Sequence, residues 1–140
     1  MTHYEVGRSI DAPVDKVWTV LTDNELLQSG EFGILRLTGD IKRNGKIKLW
    51  SEVDPKRAFS LKVVGFDAPS SMVWQGGMPF GLFKGERVFT LKGTGELTNF
   101  TMRETFTGVL SGMITRSIPD LGPSFEKFGD ALKHYAEERA

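Results

Sequence analysis

The chain has 140 residues, 39% of them apolar, with 18 Lys plus Arg balanced by 18 Asp plus Glu and no cysteine. That length suits one domain burying about two-thirds of its unfolded surface, so no covalent staple is needed. Zero net charge leaves no global field to draw the chain to nucleic acid or an anionic membrane, and the lack of cysteine excludes disulfide and thiolate chemistry.

No apolar run approaches the ~20 residues of a membrane span. The opening MTHYEVGRSIDAP lacks the basic-then-apolar plan of a secretion signal. The expected setting is cytoplasmic, and the expected organisation is a single domain over residues 1–140.

Thr2 to Ile10 alternates loosely, with Tyr4, Val6 and Ile10 among polar residues, which predicts a strand. Asp11-Ala12-Pro13 marks a helix start, because proline fits a first turn where its missing N–H has no partner to lose. Val14, Val17, Trp18 and Leu21 follow at helical spacing, and Thr22-Asp23-Asn24 breaks the pattern. Asp23 suits the cap of a second short helix, Asn24 to Gln28, closed by Ser29-Gly30. From Ile34 the period becomes two, and Leu35, Leu37 and Ile41 are expected on one face. Lys42-Arg43-Asn44-Gly45 turns the chain, and Ile47, Leu49 and Val53 share a side of the next strand. Asp54 to Arg57 reads as a turn before a strand marked by Phe59, Leu61 and Val63. Ala68 to Ser71 turns again. Met72, Trp74 and Met78 then align, Pro79 to Leu82 loops back, and Phe83, Arg87, Phe89 and Leu91 share a face. Gly93-Thr94-Gly95 is a tight turn into NFTMRETFTGVL, where Phe100, Met102, Glu104 and Phe106 point one way.

Six closely spaced strands after the helices, with the first strand before them, imply one strongly bent antiparallel sheet of about seven. Leu121, Phe125, Phe128, Leu132 and Tyr135 recur at three and four, predicting an amphipathic helix over Asp120 to Glu138. Pro119 and Pro123 make its start irregular, and Ser111 to Ile118 is expected as a loop or broken turn. The class is α+β.

Three stretches carry a family resemblance. They are IDAPVDKVWTVLTD, the segment around Trp74, Gly81, Gly85, Phe89 and Leu91, and ETFTGVL with the terminal DALKHYAEER. Together with the element order they resemble the START-like, or Bet v 1-like, helix-grip fold of the SRPBCC superfamily, in its polyketide cyclase/dehydrase-type branch. The resemblance spans nearly the whole chain. It implies a sheet curled around the long helix, with a cavity between them open to an apolar or aromatic small molecule, lipid- or polyketide-like. The branch has no universal catalytic motif to carry over.

The residues themselves offer few catalytic signatures. No Gly-x-x-x-x-Gly-Lys-Ser/Thr occurs, and GGMPFGLFKGE is not followed by a helix pattern, so neither phosphate cradle is expected. His3 and His134 lie at opposite ends and form no His-x-x-x-His pair, so no metal site and no cofactor is expected. Lys42, Arg43, Lys46 and Lys48 alternate with apolar residues and read as a solvated outer face.

Glu104 stands in line with Phe100, Met102 and Phe106, and an ionised carboxylate there must be paired, neutral or wet. Counted from a turn at Thr94, Arg87 lies on the same face about three residues out of step, ~10 Å along the strand. Three roles are open to Glu104: a diagonal ion pair with Arg87, a polar contact for a ligand, or a general base with a pKa raised by desolvation. Trp74, Met78, Phe83, Phe89, Met102 and Phe106 form the proposed ligand-binding wall, with Phe125 and Phe128 facing them and Arg87 and Glu104 among them. The same side chains would also fill a solid core. Three functions follow: a small-molecule binding module, a cofactor-free cyclase or dehydratase using Glu104, and a chaperone-associated or regulatory interaction domain.

Overall fold

In the computed structural model, which describes residues 2–78, 80–117 and 120–139, a seven-stranded antiparallel sheet curls around a long C-terminal helix. The elements are β1 (Thr2–Ile10), α1 (Val14–Leu21), α2 (Asn24–Leu27), β2 (Ile34–Gly39), β3 (Lys46–Ser51), β4 (Asp54–Asp67), β5 (Ser71–Met78), β6 (Phe83–Thr94), β7 (Leu97–Thr107), α3 (Ser111–Ser117) and α4 (Gly122–Glu138). The strand order is β1-β7-β6-β5-β4-β3-β2. Consecutive strands from β2 to β7 are hairpin neighbours, and β1 reaches across the helices to pair with β7. This is the helix-grip architecture expected of the sequence. Among the described residues, no helix is long and apolar enough to cross a membrane.

Local chemistry accounts for the helices. The Asp23 side chain accepts from the Leu26 N–H at 3.1 Å and caps α2. In α1, Val17, Trp18, Val20 and Leu21 are buried, as the helical spacing requires. The apolar stripe of α4 buries Phe125, Phe128 and Leu132. At Gly129 the helix comes so close to β1 that an added Cβ would stand 3.1 Å from Val6 Cγ2. The far end of α4 is tied down by Glu137, whose carboxylate accepts from Lys133 Nζ and from the Asp11 N–H. Those two bonds hold the Glu137 carboxyl below its ordinary pKa.

Several expectations need correction. Leu35 is 49% exposed, while Ile34 and Leu37 are buried. A bulge between Ile34 and Arg36 inserts a residue and shifts the alternation, so Leu35 turns outward. Asp54 to Arg57 is not a turn. Ser51 pairs with Asp54, the turn is Glu52-Val53, and β4 already runs through Pro55. Pro55 is tolerated because residues 55–58 have no partner in β3. Ser111 to Ser117 is a helix rather than a loop, despite poor intrinsic propensity in SGMITRS. Ile114 N donates to Leu110 O and Thr115 Oγ1 donates to Ser111 O, which closes its turns. Ile118, the last residue of that expected loop, and Pro119 lie outside the described residues. The start of α4 is Gly122 rather than Asp120, whose Oδ1 instead accepts from the Gly122 N–H at 2.9 Å.

Gly93 lets α1 rest on β6. A Cβ there would stand 2.6 Å from Val14 Cβ, a contact that side-chain rotation cannot relieve. Gly93→Ala should lower stability by about 1–3 kcal/mol. The check is a lower urea midpoint with an unchanged slope; an unchanged midpoint would mean that α1 does not need this close seat.

Candidate functional site

The sheet register builds the floor of the site. Val63, Trp74, Arg87, Glu104 and Tyr4 are successive cross-strand partners from β4 to β1. They form one row across the concave face, with strands about 4.8 Å apart. On one side runs an apolar row, Met72, Phe89, Met102 and Val6. On the other side Gly76 pairs with Gly85, and Gly85 with Phe106. A polar row therefore lies between an apolar one and one largely free of side chains.

Arg87 and Glu104 are direct partners in the register, not offset by three residues. The expectation erred because the turn is Gly95-Glu96, with Thr94 paired to Leu97. Arg87 Nε donates to Glu104 Oε1 at 2.9 Å, and the two side chains are 17% and 14% exposed. Among the described residues, Glu104 Oε2 makes no hydrogen bond. The Arg87 guanidinium also stacks under Phe125 of α4, 4.9 Å from the ring centre. Phe125 in turn touches Tyr4, at 5.7 Å between rings. The pair is thus held between sheet and helix.

Over this floor lies a cavity of about 520 Å³, bounded above by the first half of α4. Small-molecule sites run from ~300 to 1,000 Å³. Trp74, Met102, Phe106, Phe125 and Phe128 are buried in its walls, and Arg87 and Glu104 border it. Met78 and Phe83 stand at the rim. Met78 is 44% exposed, and Phe83 stacks on Phe106 at 5.7 Å. Phe89 does not border the cavity. It is packed behind it, 4.7 Å from the Trp74 ring and 6.0 Å from Phe128.

Other lining residues were not anticipated. Phe32 and Gly33 come from the loop after α2, and Ile114 from α3. Asp54, Arg57 and Phe59 come from the first half of β4, where no β4–β5 pair extends beyond Lys62 and Gln75. Arg57 and Asp54 form a second ion pair at 3.4 Å, nearer the solvent. Ser124 is the one such residue with a sequence signal, since it lies one helical turn before Phe128 on the same face. Lys127 Nζ reaches Glu52 at 2.9 Å and clamps α4 to the β3–β4 turn beside the cavity. Among the described residues, no three acidic or histidine side chains converge as a metal site requires.

Removing Arg87 strands the Glu104 carboxylate in this wall. Arg87→Met should cost about 2 kcal/mol, less than the ~3–5 kcal/mol of a fully buried pair because the cavity admits water. Arg87→Met with Glu104→Leu should regain most of that loss. Urea denaturation of the four proteins of this cycle measures the coupling, and additive single effects would show that the two residues do not depend on each other.

The sequence matches the polyketide cyclase / dehydrase and lipid transport family over residues 1–137. Among solved structures, protein MLL2253 from Mesorhizobium loti is similar, with 14% identity, a TM-score of 0.75 and 99% of each chain covered. The Zhui aromatase/cyclase from Streptomyces sp. R1128 is 14% identical with a TM-score of 0.74, covering 99% of this chain and 94% of that one. The di-domain aromatase/cyclase StfQ from the steffimycin biosynthetic pathway is 15% identical with a TM-score of 0.73, covering 98% of this chain and 51% of that one. At such identities the likeness is one of fold. No curated protein matches the chain in sequence. With a curled seven-stranded sheet gripping one long helix and a match to all but its last three residues, the chain belongs to the polyketide cyclase / dehydrase and lipid transport family of the START-like superfamily.

Proposed function

We propose that this protein binds an apolar or aromatic small molecule in the cavity, with the Arg87–Glu104 pair as the polar contact that orients it. The observation that carries this reading is the hollow of about 520 Å³ between sheet and helix. Unfilled apolar space costs stability, and a domain acting through its outer surface alone gains nothing from it. Aromatic and aliphatic walls supply the driving force, roughly 25 cal/mol for each Å² of ligand surface removed from water. Arg87 offers donors and Glu104 Oε2 an acceptor, so one hydroxyl or carbonyl group of a ligand meets a partner here.

A panel of fatty acids, sterols and flat aromatic ketones tests this. At least one class should raise Tm and change the emission of Trp74, read in a background with Trp18 and Trp50 replaced by Phe. If no compound did either, the binding reading would be lost.

A second reading is favoured by one observation, the carboxylate on the cavity wall of a chain whose family includes cyclases. Here Glu104 moves a proton on the bound molecule, with no cofactor. Glu104→Gln keeps the shape and removes the base. Turnover should fall about 100-fold or more while binding changes little; undiminished turnover would rule out this role.

A further inference from the structure

The cavity has a neighbour across the sheet. A groove of about 570 Å³ is lined by Lys46, Lys48 and Lys62 together with Thr38 and Ser60. It lies on the outer face, because Lys46 and Lys48 alternate with the buried Ile47 and Leu49. Cavity and groove share four wall residues, Ser60, Leu61, Gly76 and Gly77. All four stand where the β4–β5 ladder has ended. Ala58 and Met78, further along the same two strands, also border the cavity. Two glycines, a serine and an alanine supply little to close this stretch.

The charge of the groove is not balanced. Lys46 and Lys62 are direct cross-strand partners, and like charges so placed weaken a sheet. Lys48 pairs with Ser60 beside them. Among the described residues none of these three lysines meets a carboxylate, whereas the neighbouring Lys42 and Lys84 meet Asp40 and Glu86 at 3.8 and 3.6 Å. Glu86 is two strands away from Lys62 and is also held by Gln75, at 3.0 Å. β2, β3 and residues 55–66 of β4 contain no acid, in a chain whose charges otherwise balance. A face that serves only solubility mixes both signs.

We propose that this groove holds an anionic group of the cavity's ligand, whose apolar body lies inside and whose charge reaches out through the gap between β4 and β5. This deepens the binding reading above and rests on it. The interior does not suit such a charge, since Arg87 is already committed to Glu104. Outside, three ammonium groups and two hydroxyls offer donors to one anion. Phosphate suits them best. It carries close to two charges and several acceptor oxygens, so one group can bridge Lys46 and Lys62 and relieve their repulsion. The ligand class is then an apolar chain or ring system with a phosphate at one end.

The test uses decyl phosphate and decanol, which share a chain and differ in charge, at about pH 8, where the phosphate is a dianion. Both should change the emission of Trp74, read with Trp18 and Trp50 replaced by Phe, because the chain lies in the cavity. The protein should prefer the phosphate. Lys46→Gln with Lys62→Gln should shrink the phosphate-to-alcohol affinity ratio roughly four- to twentyfold, two exposed charge contacts at about two- to fivefold each. Lys92→Gln, an exposed lysine on β6, should leave the ratio unchanged. Raising salt from about 50 to about 500 mM should weaken the phosphate and not the alcohol, and the double variant should lose most of that dependence. If decyl phosphate alters Trp74 emission but the double variant keeps the wild-type ratio, the head group is not in the groove; the proposal is refuted and the cavity reading stands. If the double variant lowers the ratio while only decanol alters Trp74 emission, the phosphate sits on the outer face alone and no ligand spans the gap. If neither compound raises Tm or alters emission at its solubility limit, both proposals fall.

Discussion

An ionised carboxylate on the concave side of a sheet is costly without a partner beside it, and much of this structure follows from pairing Glu104 with a cation. Its cation must come from an adjacent strand at the same level. The β6–β7 register supplies it by placing Arg87 directly opposite. A slip of two residues would set Glu104 against Gly85 or Phe89 and leave the charge bare. A slip of one would turn the strand over and bring Arg103, which now pairs with Glu5 at 3.8 Å on the outer face, into the interior. The pair need not add net stability to matter. It penalises every other register of the hairpin, and the hairpin register aligns the whole row from Val63 to Tyr4.

How much of this was legible in the sequence depends on the distance over which each feature is decided. Strand periodicity and the α4 stripe are local, so the elements and the inward face of Phe100, Met102, Glu104 and Phe106 could be read directly. The Arg87–Glu104 pairing was visible as a shared face, but its geometry depended on a turn placed too early, at Thr94 instead of Gly95-Glu96. Leu35 and Asp54 were misplaced for a related reason. A bulge leaves no composition signal, yet one extra residue inverts the alternation that follows it. Phe32, Arg57 and Ile114 reach the cavity through tertiary placement alone. No spacing within their own segments points to a ligand wall.

The hollow itself was beyond periodicity, because the same apolar residues serve a filled core and a lined one. What decides it is where side chains are missing. Gly76 and Gly85 sit opposite each other on the cavity side of the polar row. Backbone at Gly76 packs so tightly that an added Cβ would meet Leu61 Cδ2 at 2.7 Å, and one at Gly85 would lie 3.3 Å from the Phe106 ring. These glycines let Leu61 and Phe106 lie close against the sheet and add no side chain of their own to the cavity. The β4–β5 ladder also stops at Lys62 and Gln75, so beyond that point the two strands part from each other and form a rim instead of a sealed edge. The Lys127–Glu52 pair ties α4 to the β3–β4 turn at the edge of this gap.

The interaction that fixes the register also constrains what the cavity accepts. Arg87 is already committed to Glu104 Oε1 on one side and to the Phe125 ring on the other. An anionic ligand competing for Arg87 would exchange one carboxylate for another and leave Glu104 stranded in the wall, so part of its binding energy is cancelled. A neutral hydroxyl or carbonyl has no such conflict, because it can meet a free donor of Arg87 or the open Oε2 with the pair intact. On the binding reading proposed above, the ion pair thus favours uncharged oxygen over a charged head group, and that selectivity needs no machinery beyond what holds the sheet in register.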